Sequence, residues 1–181
     1  MKTDNRGFTL TELIVCIVIL SIVLLAAFGF MVSGARSYAN VDTRITRQLK
    51  SQLALGQITD CLMNCNTGIN ISSDKSAVYI LSKDSGGNYT VQAFKLDGSD
   101  VKYGSATASS TKTGGVTTYT ASITRWSKVT SKAGSFTVSL APDSGNVKQA
   151  TVSLQFSGSD NAFSQTVALR NAPPRVTITI S

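Results

Sequence analysis

Hydrophobic positions change their rhythm twice along this chain. From Phe8 to Val32, "FTLTELIVCIVILSIVLLAAFGFMV", 25 residues are apolar almost without interruption, and the one charge among them is Glu12. As a helix this run measures about 37 Å, more than a bilayer core of about 30 Å. Tyr38, Val41, Ile45 and Leu49 then recur at three- and four-residue steps, with Leu55, Ile58 and Leu62 following after a slight phase shift. Arg44, Arg47, Lys50 and Asp60 occupy other faces. This spacing predicts an amphipathic helix whose apolar stripe is covered. Asn64 to Gly68, "NCNTG", supplies the residues that stop helices. One rod from Phe8 to Leu62 would be about 80 Å long.

Beyond residue 66 the period turns to two. "AVYILSK", "NYTVQAFKL", "VTTYTASITRW", "SFTVSLA", "ATVSLQF" and "RVTITI" are rich in β-branched and aromatic residues. "DSGGN", "DGSD", "KTGG", "KAG" and "PDSGN" separate them as turns. The pattern predicts about six to eight antiparallel strands with one face on the amphipathic helix. Ala106 to Gly115, "ATASSTKTGG", is small and polar and is expected to be a surface loop. The fold class is α+β, a long N-terminal helix packed on an antiparallel β-sheet domain. Its expected divisions are 1–7, a charged leader; 8–32, an apolar helix; 33–65, its amphipathic extension; and 66–181, the β-rich domain.

Composition narrows the chemistry. With 181 residues there is room for one domain and an appendage, and 17 basic against 10 acidic residues give +7, dispersed along the chain. Such a spread is an ordinary solvated surface, though it also favours DNA, anionic lipid or acidic polymers at long range. The chain has no histidine, which leaves metal binding and histidine-based acid–base catalysis few candidates. Asp84, Asp97, Asp100 and Asp143 sit in turns, where bonding to their own backbone accounts for them. No nucleophile–base pair, phosphate loop or calcium loop emerges, so neither an enzyme nor a cofactor is expected. Cys16 reads as a small hydrophobe of the apolar run. Cys61 and Cys65, four residues apart, could bridge where the helix ends in an oxidising compartment, although regular helix geometry suits that bond poorly.

The apolar run admits three readings. A secretory signal peptide would be cut after Ala35, but its apolar core is normally only about 7–15 residues. A plain single-pass anchor has no use for Glu12, the only glutamate of the chain. A carboxylate inside a membrane helix costs a few kcal/mol and marks function by default. No lysine or arginine lies within one turn after it, and Arg6 is six residues back, so its cation is not a neighbour on the same helix. Lys2 and Arg6 outweigh Asp4 ahead of the span, which predicts a cytoplasmic leader and an extracytoplasmic C-terminal domain.

"RGFTLTEL" (Arg6 to Leu13) resembles the processing site of type IV prepilins and type II secretion pseudopilins: a charged leader ending in Gly7, then Phe8, with Glu12 fifth after the junction. The resemblance covers about 30 residues, the leader and the apolar helix. It implies that a dedicated membrane peptidase and methylase, the prepilin peptidase, cuts after Gly7 and methylates Phe8. It further implies that Glu12 pairs with the new terminus of a neighbouring pilin or pseudopilin subunit, setting assembly register. Membrane lipid and an inner-membrane assembly platform are the other implied partners. Gly29 stands where such helices often carry proline. Leu169, Arg170 and Asn171 form an "LRN" element like one found late in minor pilins related to the J-type pseudopilins.

The implied function is a structural subunit, with the minor class favoured, of a type IV pilus, a competence pilus or a type II secretion pseudopilus. The alternative is a tip adhesin or DNA receptor on the same anchor. For that role Trp126, flanked by Arg125 and Lys128, could stack on and neutralise a nucleic-acid strand, although an aromatic residue in such a stretch more often faces a core.

Overall fold

The computed structural model describes residues 9–142 and 145–180. The chain divides into two compact units, Met1–Thr46 and Arg47–Ser181, and the boundary falls within helix α1, Leu10–Met63. In the first unit every described residue is exposed, including the large apolar side chains from Leu10 to Met31. An apolar helix with nothing over it requires lipid or another protein to cover it.

In the second unit the last turns of α1 bury Ser51, Ala54, Leu55, Ile58, Thr59 and Leu62, again at three- and four-residue steps. The expected stripe therefore splits. Leu55, Ile58 and Leu62 are covered, whereas Tyr38, Val41, Ile45 and Leu49 are exposed, because Ser51 is the first buried residue of α1. At the helix exit Asn66 acts as a clamp: its Oδ1 accepts from Lys83 N at 2.8 Å and its Nδ2 donates to Lys83 O at 3.0 Å.

Ten strands follow among the described residues. The larger sheet contains β1 (Gly68–Ile71), β2 (Ala77–Lys83), β3 (Tyr89–Asp97), β4 (Asp100–Thr113), β5 (Val116–Ala121), β6 (Trp126–Ser131) and β10 (Thr177–Ile180), in the order β1-β2-β3-β4-β5-β10 with β6 beside the first part of β4. The smaller sheet is β7 (Ala133–Ala141), β8 (Gln149–Phe156) and β9 (Ala162–Ala168), in that order. Ile58 and Leu62 of α1 share one core with Phe136, Val138, Val152 and Leu154 of the smaller sheet and with Val78, Ile80 and Phe94 of the larger. Each such side chain, fully buried, contributes about 1.5–3 kcal/mol. A second core lies on the opposite face of the larger sheet, around Leu81, Val91, Tyr119 and Ile178. Buried on both faces, β2 reads as the unbroken apolar run "AVYIL", whereas β8 alternates cleanly.

Three sequence expectations are corrected. Ala106 to Gly115 is not a surface loop but the end of β4 and its turn, paired with β5 from Ala108↔Ala121 to Thr113↔Val116. Threonine suits a strand, and Gly114 and Gly115, with φ of 59° and 84°, make the two-residue turn that only residues tolerant of positive φ form readily. Among the described residues the strands number ten rather than six to eight: β1 is only four residues long, and the largely polar β4, β6 and β9 lack the apolar signature that defines the others. Nor are all pairings antiparallel: β10 runs parallel to β5 from Thr177↔Thr118 to Ile180↔Ala121. The physical reason is its approach. Just before β10, Ile69 N donates to Pro174 O at 3.1 Å and Val176 N to Ile69 O at 3.2 Å, so residues 174–180 run first along β1 and then along β5.

This segment joins the two edges of the larger sheet, and Gly68 makes room for it. A Cβ at Gly68 would collide with Cγ2 of Val176 and lie 2.8 Å from its Cγ1. Gly68→Ala is expected to destabilise the second unit by about 1–3 kcal/mol through overpacking. Urea unfolding of the full chain in detergent, followed by Trp126 fluorescence, checks this; an unchanged midpoint contradicts it.

Candidate functional site: the start of the apolar helix

Helix starts leave four backbone N–H groups without intrahelical partners, a severe cost where water is absent. Here Thr9 and Glu12 meet that cost reciprocally. Glu12 N donates to Thr9 Oγ1 at 3.3 Å, while Thr9 N and Thr9 Oγ1 donate to Glu12 Oε2 at 3.1 and 2.9 Å. Leu13 N closes the first turn on Thr9 O at 3.2 Å. This is a capping box, Thr-x-x-Glu, and the negative charge also faces the favourable end of the helix dipole. Both bonds from Thr9 fall on Oε2, so neither engages Oε1. Thr9 is the site residue that attention to Glu12 alone overlooks; its signal was the spacing "TLTE" ahead of an apolar run.

Gly7 and Phe8 lie outside the described residues. The helix that follows is long and apolar enough to cross a membrane, and the side chains of Leu13, Cys16, Ile17 and Leu20 line one stretch of its bare surface.

The remaining candidates belong to the second unit. Cys61 and Cys65 are both free thiols, so the bridge held open by their spacing is not formed in this structure. Cys65 is buried, and its thiol donates to Gly68 O at 3.1 Å and faces Leu81 O at 3.7 Å, which stitches the helix exit to β1 and β2. Burial pushes its pKa from 9.0 up to about 11, and burial also raises that of the half-buried Cys61. A folded pKa above the unfolded one means the folded chain holds the proton longer. Stability from Cys65 is therefore complete below about pH 9 and lost between about pH 9 and 11, by about 2–3 kcal/mol. Cys65→Ala removes the titrating group, and its urea midpoint is expected to lose that dependence; the same alkaline fall in both proteins counts against it.

Trp126 pairs with Gly104 across β6 and β4, and its Cε3 lies 3.0 Å from where a Cβ at Gly104 would sit. Lys95 Nζ stands 4.3 Å from the centre of its ring, and Lys128 Nζ is paired with Asp100 Oδ2 at 2.7 Å. Ring and ammonium thus both have partners within the fold, while Arg125 is exposed. In the "LRN" element Leu169 is buried and Asn171 Nδ2 donates to Cys65 O at 3.0 Å, fastening the chain beyond β9 to the end of α1.

Residues 2–28 match the family model for the prokaryotic N-terminal methylation motif. The chain carries a prepilin-type methylation motif on an apolar N-terminal helix, and this supports a type IV pilin-like protein. The match spans residues 2–7 ahead of the helix and most of the apolar segment of α1, with Glu12 and Thr9 inside it. No curated protein matches the chain.

Proposed function

We propose that this chain is a structural subunit, of the minor class, of a type IV pilus, a competence pilus or a type II secretion pseudopilus. The observation that carries the proposal is the methylation motif at residues 2–28 together with a glutamate held at the first turn of an otherwise apolar, exposed helix. Prepilin peptidase cuts after Gly7 and methylates Phe8. The cut creates a positive α-amino group, and Glu12 of an adjacent subunit meets it through the carboxylate that Thr9 holds in place.

Magnitudes favour this pairing. An acidic residue costs about 2.5–3.5 kcal/mol at the centre of a membrane helix on insertion scales, which is an upper bound for Glu12 in the first turn. Opposite charges about 4 Å apart at an effective dielectric near 20 attract by about 4 kcal/mol. Pairing therefore offsets the cost, and a subunit seated at the wrong height forfeits it. The leader stays cytoplasmic, the β-rich unit lies outside the membrane, and an inner-membrane assembly platform receives the processed subunit.

Mass spectrometry of the protein isolated from cells tests the reading. The expected N-terminus is an N-methylated Phe8. A chain beginning at Met1, or at Arg36 after signal-peptidase cleavage, would overturn it.

A further inference from the structure

Strand β9 has a chemical symmetry about its centre. Its sequence is Ala-Phe-Ser-Gln-Thr-Val-Ala from Ala162 to Ala168, and about Gln165 it mirrors itself: Ala162 with Ala168, Phe163 with Val167, Ser164 with Thr166. These are the pairs formed when a strand lies antiparallel to its own copy across a two-fold axis through Gln165. Each pair matches in kind, small with small, apolar with apolar, hydroxyl with hydroxyl. Gln165 faces itself, and its amide both donates and accepts.

The edge is open to such a partner. Among the described residues β9 pairs only with β8, in an unbroken register from Ala162↔Gln155 to Ala168↔Gln149, and Ala162, Ser164, Gln165, Thr166 and Ala168 are exposed. Across the sheet, β7 already engages the larger sheet's loops, through Val138 N to Lys75 O at 3.0 Å and Ala133 N to Ser99 O at 2.8 Å. Exposed edges are ordinarily blunted by lysine, proline or a bulge. β9 has none of these, and β7, β8 and β9 hold no charged residue, although the chain as a whole carries +7. Two copies therefore meet at this edge without like charges facing each other. On the outer face, hydroxyl rows already cross the sheet, Thr151 to Thr166 at 2.9 Å and Ser153 to Ser164 at 3.0 Å, and the partner strand extends them. On the inner face, half-buried Phe163, packed on Phe156 with ring centres 6.2 Å apart, gains the partner's Val167 as a neighbour.

We infer that β9 pairs with β9 of a second copy of this chain, antiparallel about Gln165, and merges two three-stranded sheets into one of six. The contact is isologous and self-closing, so it joins subunits in twos. It does not depend on processing at Gly7.

The test uses the full chain in detergent micelles with Cys16→Ser, so that thiols on the apolar helix do not contribute. Gln165→Cys places two thiols opposite each other at about 4.5–5.5 Å between Cα atoms, within disulfide range. Mild oxidation is expected to give about tenfold more linked dimer than Ser139→Cys, an exposed position on β7. Adding Ser164→Lys with Thr166→Lys sets lysine opposite lysine twice and is expected to lower the Gln165→Cys dimer about tenfold, with far-UV circular dichroism confirming that the fold is kept. Equal linkage at 165 and 139, or linkage indifferent to the two lysines, overturns the inference. Glu12→Ala in the same background is expected to leave the 165 linkage unchanged, which separates this pairing from filament assembly.

Discussion

Glu12→Ala and Glu12→Gln are each expected to reach the membrane in normal amounts and to be depleted at least about tenfold from sheared filament fractions, a loss that corresponds to about 1.4 kcal/mol. The glutamine variant is the more informative of the two. A capping box works with glutamine as well as glutamate, so Glu12→Gln keeps the acceptor that Thr9 uses and loses only the charge. If helix capping were the whole role of Glu12, glutamine would assemble like the parent and only alanine would fail. If the carboxylate answers a cation on a neighbouring subunit, both fail, because a neutral amide recovers little of the roughly 4 kcal/mol attraction. Quantitative immunoblots of membrane and sheared fractions decide between them. Normal incorporation of Glu12→Gln would remove the electrostatic contact.

Gly7→Leu is expected to abolish maturation. The side chain it introduces sits at the bond to be cut, where the glycine of the motif offers the peptidase nothing but backbone. The readout is the mass of the membrane-bound protein, which should retain residues 1–7. Without cleavage there is no free amine on Phe8, so under the proposed pairing the charge meeting Glu12 is missing as well. The double variant with Glu12→Ala is accordingly expected to assemble no worse than Gly7→Leu alone, since both remove one and the same pair. Efficient removal of the leader from Gly7→Leu would contradict the assigned junction.

Much of the molecule was legible from residue order, and the divisions between what was and was not have physical causes. The apolar run and the buried turns of α1 showed in the sequence because period and hydrophobicity agree there, as with Leu55, Ile58 and Leu62. β7 and β8 were visible for the same reason, with one face buried and one wet. The end of β4, though not its partner β5, was hidden because Ser109 to Thr113 lie exposed and carry no apolar alternation; backbone pairing and the Gly114–Gly115 turn hold it. The exposed stretch of Tyr38, Val41, Ile45 and Leu49 was legible as a stripe but not as an uncovered one, since periodicity records an apolar face and not what lies on it. At the site, Glu12 stood out by its cost, whereas Thr9 was overlooked because threonine in an apolar helix attracts no notice until its partner three residues later is considered.

The union of β1 with residues 174–176 has a consequence for how the β-rich unit is born. β1 leaves the ribosome more than a hundred residues before the segment that covers it. Until residue 176 has emerged, the N–H and C=O of Ile69 lack their lasting partners on that side. Contacts so distant along the chain form late and slowly, and a nascent domain with an unzipped border invites pairing with the wrong strand. Truncation ahead of Pro174 would freeze the molecule at that vulnerable stage, leaving every earlier strand present and the ring unsealed.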